Sequence, residues 1–157
     1  MDWKNYGFET PAFTLNGLET DARVVDCYDS DTVTLVFPIF GQYFKFSCRI
    51  YGIDGCEIRG ENKNLAQRAK NRLLQLCGVE GLNLDSVYPR TAVRKMLADN
   101  IYLVQIKFRE NDKYGRVLVD VWRNGVLLSN VLLEEKLVYK YEGGTKLTEE
   151  EQRQTLA

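Results

Sequence analysis

Between residues 22 and 53 apolar and polar positions alternate in three successive runs. "ARVVDCYD" (22–29), "DTVTLVFPIF" (31–40) and "YFKFSCRIYGI" (43–53) are rich in β-branched and aromatic residues and are separated only by Ser30 and by Gly41-Gln42. A period of two with such short connections predicts three antiparallel strands in a meander. Asp29 and Ser30 suit the first turn, and Gly41 and Gln42 the second. Pro38 cannot donate to a ladder, so it is expected at the end or edge of its strand.

The period changes after residue 60. In "ENKNLAQRAKNRLLQLCG" (61–78), Leu65, Ala69, Leu73, Leu76 and Cys77 recur at helical spacing, and Gly78 is a stop. Lys63, Arg68, Lys70 and Arg72 read as the solvated face of that helix. Residues 78–89 have no period. "RTAVRKMLADN" (90–100) predicts a shorter helix on Val93, Met96 and Leu97, and "IYLVQIKF" (101–108) a fourth strand. A polar loop (109–116) precedes "VLVDVWRNGVLLS" (117–129), a strand that turns at Asn124-Gly125 and continues. A helix is expected over 130–139. Thr148 and Glu151 have capping-box spacing for a last short helix.

The first 21 residues read as an extended arm packed on the rest, and 22–157 as one domain. The order βββ-α-α-ββ-α-α, with helices between the third and fourth strands, is the connectivity of an OB-type barrel. The expected class is therefore α+β, β-rich, with a five-stranded barrel and three or four helices.

Composition narrows the chemistry. The 157 residues carry a formal charge of −1, so no overall basic character advertises a nucleic-acid partner, and an anionic ligand needs a local patch. There is no histidine, which excludes Ser-His and Cys-His nucleophile systems and histidine metal sites. Cys27, Cys48, Cys56 and Cys77 form no C-x-x-C pair, and the first two fall in strands as small buried hydrophobes. "MDWKNYGFET" lacks the charged-then-apolar pattern of a signal peptide, and no stretch approaches the roughly 18 apolar residues of a membrane span. An intracellular, reduced, monomeric protein is expected.

Three polar clusters sit at strand ends or loops: Asp29-Ser30-Asp31-Thr32, then Arg49 with Asp54 and Glu57, then Asp112-Lys113-Tyr114-Gly115-Arg116. In a meander the start of the second strand lies beside the end of the third, so Asp31 and Asp54 converge at one rim. Two carboxylates with backbone carbonyls make an oxygen site for a hard cation such as Ca²⁺, although the ligand types also admit Mn²⁺ or Mg²⁺. Arg49 and Asp54 are an odd number of residues apart and would face opposite ways on a regular strand, so a bend is required, with Gly52 and Gly55 as its expected places.

Taken together, "VVDCYDSDTVTL", "FSCRIYGIDGCE" and "NDKYGRVLVDVW" resemble the staphylococcal-nuclease (thermonuclease) family, in order and over most of residues 22–140. The resemblance implies an OB barrel, hydrolysis of DNA and RNA with a preference for single strands, and one Ca²⁺. It implies that Asp31 and Asp54 are carboxylate metal ligands and that Gly55, standing where the family has Thr, offers a backbone carbonyl. Glu57 is the implied activator of the attacking water, and Arg49 and Arg116 the implied guanidinium groups on the scissile phosphate. Lys113 and Tyr114 resemble the pair that grips a terminal nucleotide phosphate, and Asp29 a supporting acid. Ser30 stands where the family usually has Gly, and Cys56 where it has Pro.

Tyr139 and Tyr141 are candidates to stack on a base, or else core or rim residues. The bland alternatives are a hairpin turn with solvent-facing acids at 29–31, an outward strand residue at Arg49, and a reverse turn at "DKYGR". At the level of function the alternative is a catalytically inactive OB module that binds nucleic acid or protein.

Overall fold

A computed structural model describes residues 2–156. The meander forms: β1 (Glu19–Cys27), β2 (Thr32–Ile39) and β3 (Gln42–Ile50) pair antiparallel in sequence order. β1 begins three residues earlier than the periodicity predicts. An extra residue interrupts its pairing with β2 between Val24 and Asp26, the signature of a bulge. β5 (Leu103–Phe108) pairs antiparallel with β1, and β6 (Val117–Arg123) with β5. A parallel pairing of β3 with β6, Arg49 opposite Leu118, then closes five strands into the expected barrel. The short strand β4 (Ile53–Asp54) stands apart and pairs with β8 (Tyr139–Lys140).

α1 (Lys63–Leu76) and α2 (Arg90–Asp99) connect β4 to β5. β7 (Val126–Leu127) folds back on β6 through Asn124-Gly125, both at positive φ (53° and 77°). That is the two-residue hairpin geometry the Asn-Gly pair predicts. The β2–β3 turn has the same form but falls one residue earlier than expected, at Phe40-Gly41 (φ 53° and 78°). Pro38 lies beyond the last β1–β2 pair, where its missing N–H costs no ladder bond.

Two further expectations need correction. Leu128 and Ser129 do not extend a strand: α3 spans Leu128–Glu134. Nor does this helix reach residue 139. It ends where Lys136 turns to φ 58°, and the chain re-enters as β8. The last helix, α4 (Glu149–Thr155), starts on the predicted capping box, with Thr148 and Glu151 each bonding the other's backbone N–H.

The core fills the barrel and the space between it, α1 and α2. Phe37 is fully buried, stacked on Phe46 at 4.5 Å and edge-on to Phe108 at 5.0 Å. α1 buries Ala66, Ala69, Leu73 and Leu74, a stripe turned slightly from the predicted one, because Leu65 and Leu76 are only half-buried. Its basic residues are not simply solvated. Lys70 is buried, Arg68 pairs with Asp85, and Arg72 pairs with Glu135. A satellite cluster of Cys56, Ala66, Tyr139 and Leu156 seats α4 beside α1. There Asn62 donates from one amide nitrogen to the Glu149 carbonyl (2.8 Å) and to Gln152 Oε1 (2.9 Å). The arm is exposed from Asp2 through Thr14, and Leu15 is its first residue to pack against the core. All four cysteines are buried free thiols. Among the described residues no helix is long and apolar enough to cross a membrane.

Candidate active site

Pairing fixes the first two clusters. Thr32 lies opposite Arg49 in the β2–β3 ladder, and Ile50 N donates to the Asp31 carbonyl at 2.7 Å, so Asp31 sits beside Arg49. The bend needed between Arg49 and Asp54 is the turn at Tyr51-Gly52, where Gly52 has φ 83°. It brings Asp54 back toward Arg49, whose Nη2 donates to the Ile53 carbonyl (3.2 Å).

Arg49 then bridges the two aspartates, Nη1 to Asp31 Oδ1 and Nη2 to Asp54 Oδ1, each at 3.3 Å. All three side chains are at least nine-tenths buried. Burial works against a charged guanidinium, yet Asp31 and Asp54 hold Arg49 above its ordinary pKa. Burial, then the Asp29 charge, then a hydrogen bond with Asp54 push Asp31 up to about 9. Asp54 is also penalised by burial, but the hydrogen bond with Asp31 and the cations Lys146 and Arg49 keep it below its usual value. The surroundings thus pull the two acids in opposite directions, Asp31 up and Asp54 down.

Asp29 supports this arrangement by accepting from Asp31 N at 3.1 Å. Gly55 does not supply the bend, since its φ is not positive. It supplies space: a Cβ there would lie 2.3 Å from Ser30 Oγ. Ser30 is 1% exposed, and its hydroxyl has no partner among the described residues.

A cleft of about 390 Å³ opens over this network. Asp29, Asp31, Arg49, Asp54, Gly55, Glu57 and Arg116 all line it. Glu57 is exposed, and its carboxylate has no ion pair or hydrogen bond among the described residues. Arg116 comes from the start of the loop-to-β6 junction, and its Nε donates to Asp112 Oδ2 at 2.5 Å. Asp112 also accepts from the backbone of Tyr114 and Arg116, so the "NDKYGR" loop folds around that one carboxylate. These bonds lower the Asp112 pKa in spite of its partial burial.

A second cleft of about 310 Å³ adjoins the first, and Arg49 and Arg116 line both. Lys113, Tyr114, Tyr141 and Tyr51 line it too, with the acids Asp112 and Glu142 on the same wall. Every candidate except Tyr139 thus lines one of the two clefts. That ring is buried in the satellite cluster, and its hydroxyl donates to Asp54 Oδ2 at 3.0 Å, so it braces an acid rather than presenting a stacking face. The β4–β8 pairing, invisible in the hydrophobic pattern, puts it there.

Tyr28 and Lys146 are among the cleft residues that escaped the sequence reading. Tyr28 lines the acid side, and Lys146 places Nζ 3.2 Å from Asp54 Oδ2. The only signal for Lys146 was its place just before the capping box of α4.

The donors suit a hard cation rather than a soft one. Among the described residues no three Asp, Glu, His or Cys side chains gather closely enough to enclose a metal. What is offered is two buried carboxylates, Asp31 and Asp54, lining a cleft that Asp29 and Glu57 also line. That set fits a divalent ion that retains part of its hydration, such as Ca²⁺. Comparison with protein-family models finds no match to this chain, and a search of curated proteins finds none either.

Proposed function

We propose that this protein is a Ca²⁺-dependent nuclease that hydrolyses phosphodiester bonds in single-stranded or frayed DNA and RNA. The observation carrying the proposal is that Asp31, Arg49, Asp54, Glu57 and Arg116, from four separate segments, line one cleft. An internal ion network needs no exposed, unpaired carboxylate at its mouth and no second arginine facing the same space.

Asp31 and Asp54 would hold the ion, together with the Gly55 backbone carbonyl. When bound, Ca²⁺ neutralises a phosphoryl oxygen as a Lewis acid. Glu57 is free to take a proton from water as the water oxygen bonds to phosphorus and the ester P–O bond breaks, the leaving oxygen taking a proton from solvent. A positioned general base of this kind contributes roughly 10²–10⁴-fold. Arg116 exchanges Asp112 for the phosphate and meets the growing charge with a planar fork, which a lysine could not copy. Arg49 faces the same space and keeps the two acids apart. In the adjoining cleft, Lys113 offers a charge for a neighbouring phosphate, and the Tyr114 and Tyr141 rings offer stacking faces.

The test is incubation of the purified protein with single-stranded DNA and with RNA, in Ca²⁺ or in chelator, beside Arg116→Ala. The expected outcome is cleavage that requires Ca²⁺ and is strongly reduced by the substitution. Equal cleavage by both proteins defeats the proposal, and tight binding without metal-dependent turnover favours a binding module instead.

A further inference from the structure

We propose that Lys146 is a tethered counter-cation of the acid pair, which a divalent ion displaces from Asp54 as it binds. The inference rests on the reading of Asp31 and Asp54 as a cation site.

Asp54 is held from every side. Oδ1 accepts from Gly55 N at 2.9 Å and pairs with Arg49, while Oδ2 accepts from the Tyr139 hydroxyl and pairs with Lys146. Arg49 comes from β3 and Tyr139 from β8. Of these side-chain partners, Lys146 alone comes from a segment outside helix and strand. It is also the one with freedom to leave, because its side chain is 44% exposed against 4% for Asp54.

The backbone on either side sets how that freedom is used. Leu147 packs against the satellite cluster and anchors the chain just before α4. Gly143 and Gly144 lie at φ 98° and 88° shortly upstream. The lysine is therefore anchored at its root and half-exposed at its tip. In the same position its ammonium lies 5.5 Å from the Tyr141 ring centroid, within cation–π range, so that ring is still a partner when Asp54 is given up.

A divalent ion coordinated to Asp54 needs carboxylate oxygen at about 2.3–2.6 Å. An ammonium hydrogen-bonded to the same carboxylate competes for its lone pairs and repels the incoming charge. Lys146 thus lowers the affinity of the site, and the ion that displaces it leaves a free ammonium facing the space where an anionic ligand would lie. Ion and anion then favour each other's binding through this one side chain, without movement of the barrel.

The experiment is calorimetric titration of the full chain with CaCl₂, using wild type, Lys146→Met, Asp54→Asn and the distant control Lys95→Met. Lys146→Met should bind Ca²⁺ about tenfold more tightly than wild type, the order expected for removing one unit charge from a half-exposed site. The gain should shrink as KCl is raised. Lys95→Met should match wild type, and Asp54→Asn should lose binding. Unchanged or weaker affinity in Lys146→Met, with binding still lost in Asp54→Asn, overturns the role of Lys146 and leaves the cation site standing. Wild-type binding in Asp54→Asn, or none in any protein, overturns the cation site and the inference with it.

Discussion

A methyl group added at Gly55 would sit 2.3 Å from Ser30 Oγ but at an ordinary 3.6 Å from Ser30 Cβ and from Val138 Cγ1. Gly55→Ala therefore collides with one atom only. The backbone at 55 is not left-handed, so the collision is the whole penalty. Ser30 is 1% exposed and has little room to move, and overpacking of this sort costs about 1–3 kcal/mol. For a domain of this size that lowers Tm by about 2–4 °C per kcal/mol. Ser30→Ala removes the colliding atom, and with it a buried hydroxyl that has no partner. That single change should be neutral or mildly stabilising. Gly55→Ala in the Ser30→Ala background should then be close to wild type, giving a coupling of about 1–3 kcal/mol in a double-mutant cycle. Urea unfolding followed by circular dichroism measures all four proteins. An equal cost of Gly55→Ala in both backgrounds would refute the claim that Ser30 and Gly55 fit each other as a pair.

Arg49→Met strands two acids whose side chains are at most 5% exposed. It should cost about 3–5 kcal/mol in urea unfolding without divalent ions, with part of the loss recovered in millimolar Ca²⁺; a wild-type midpoint would count against the buried bridge. The folded pKa of Asp31, about 9, exceeds its ordinary 3.8, so its contribution to stability is present below about 3.8 and is lost as pH rises toward 9. A cation that needs Asp31 ionised should bind more tightly across that window and release about one proton at pH 7. Calorimetry in two buffers of different ionisation heat detects this release, and equal affinity at pH 6 and pH 8 would contradict it. Burial pushes the Cys48 and Cys77 thiols up to about 12, Cys56 up to about 11, and Cys27 well above its ordinary value. Thiol reagents at pH 8 should therefore label the native protein only as fast as it opens, whereas fast stoichiometric labelling of folded protein would contradict the burial.

The barrel was legible because its strands carry a period of two and its turns carry their own chemistry. Asn124-Gly125 names its hairpin, and the meander brings Asp31 beside Arg49 with no knowledge of the rest of the molecule. What stayed hidden depended on contacts between distant segments. β4 and β8 are two residues each, too short for any period, yet their pairing takes Tyr139 from the substrate side to the acid side. Residues 128–134 are apolar enough to continue a strand, but they form a helix packed against α1 and β6, segments distant or turned back in the chain. The fit of Ser30 to Gly55 spans two loops, and each residue alone reads as an ordinary turn former. Lys70 and Arg72 show the same limit, since a helical wheel marks basic residues as solvated whatever the neighbouring segments bring to them.

The rate of single-turnover cleavage of a labelled single-stranded oligonucleotide, by wild type and Glu57→Gln at saturating enzyme, tests the hydrolytic cleft most directly. The Glu57 carboxylate lines the cleft with no hydrogen bond or ion pair among the described residues, so the substitution should leave stability intact. In Ca²⁺ the wild type should cleave about 10²–10⁴-fold faster than the variant, and chelator should stop both. Equal rates for the two proteins, or wild-type cleavage that persists in chelator, would contradict the account.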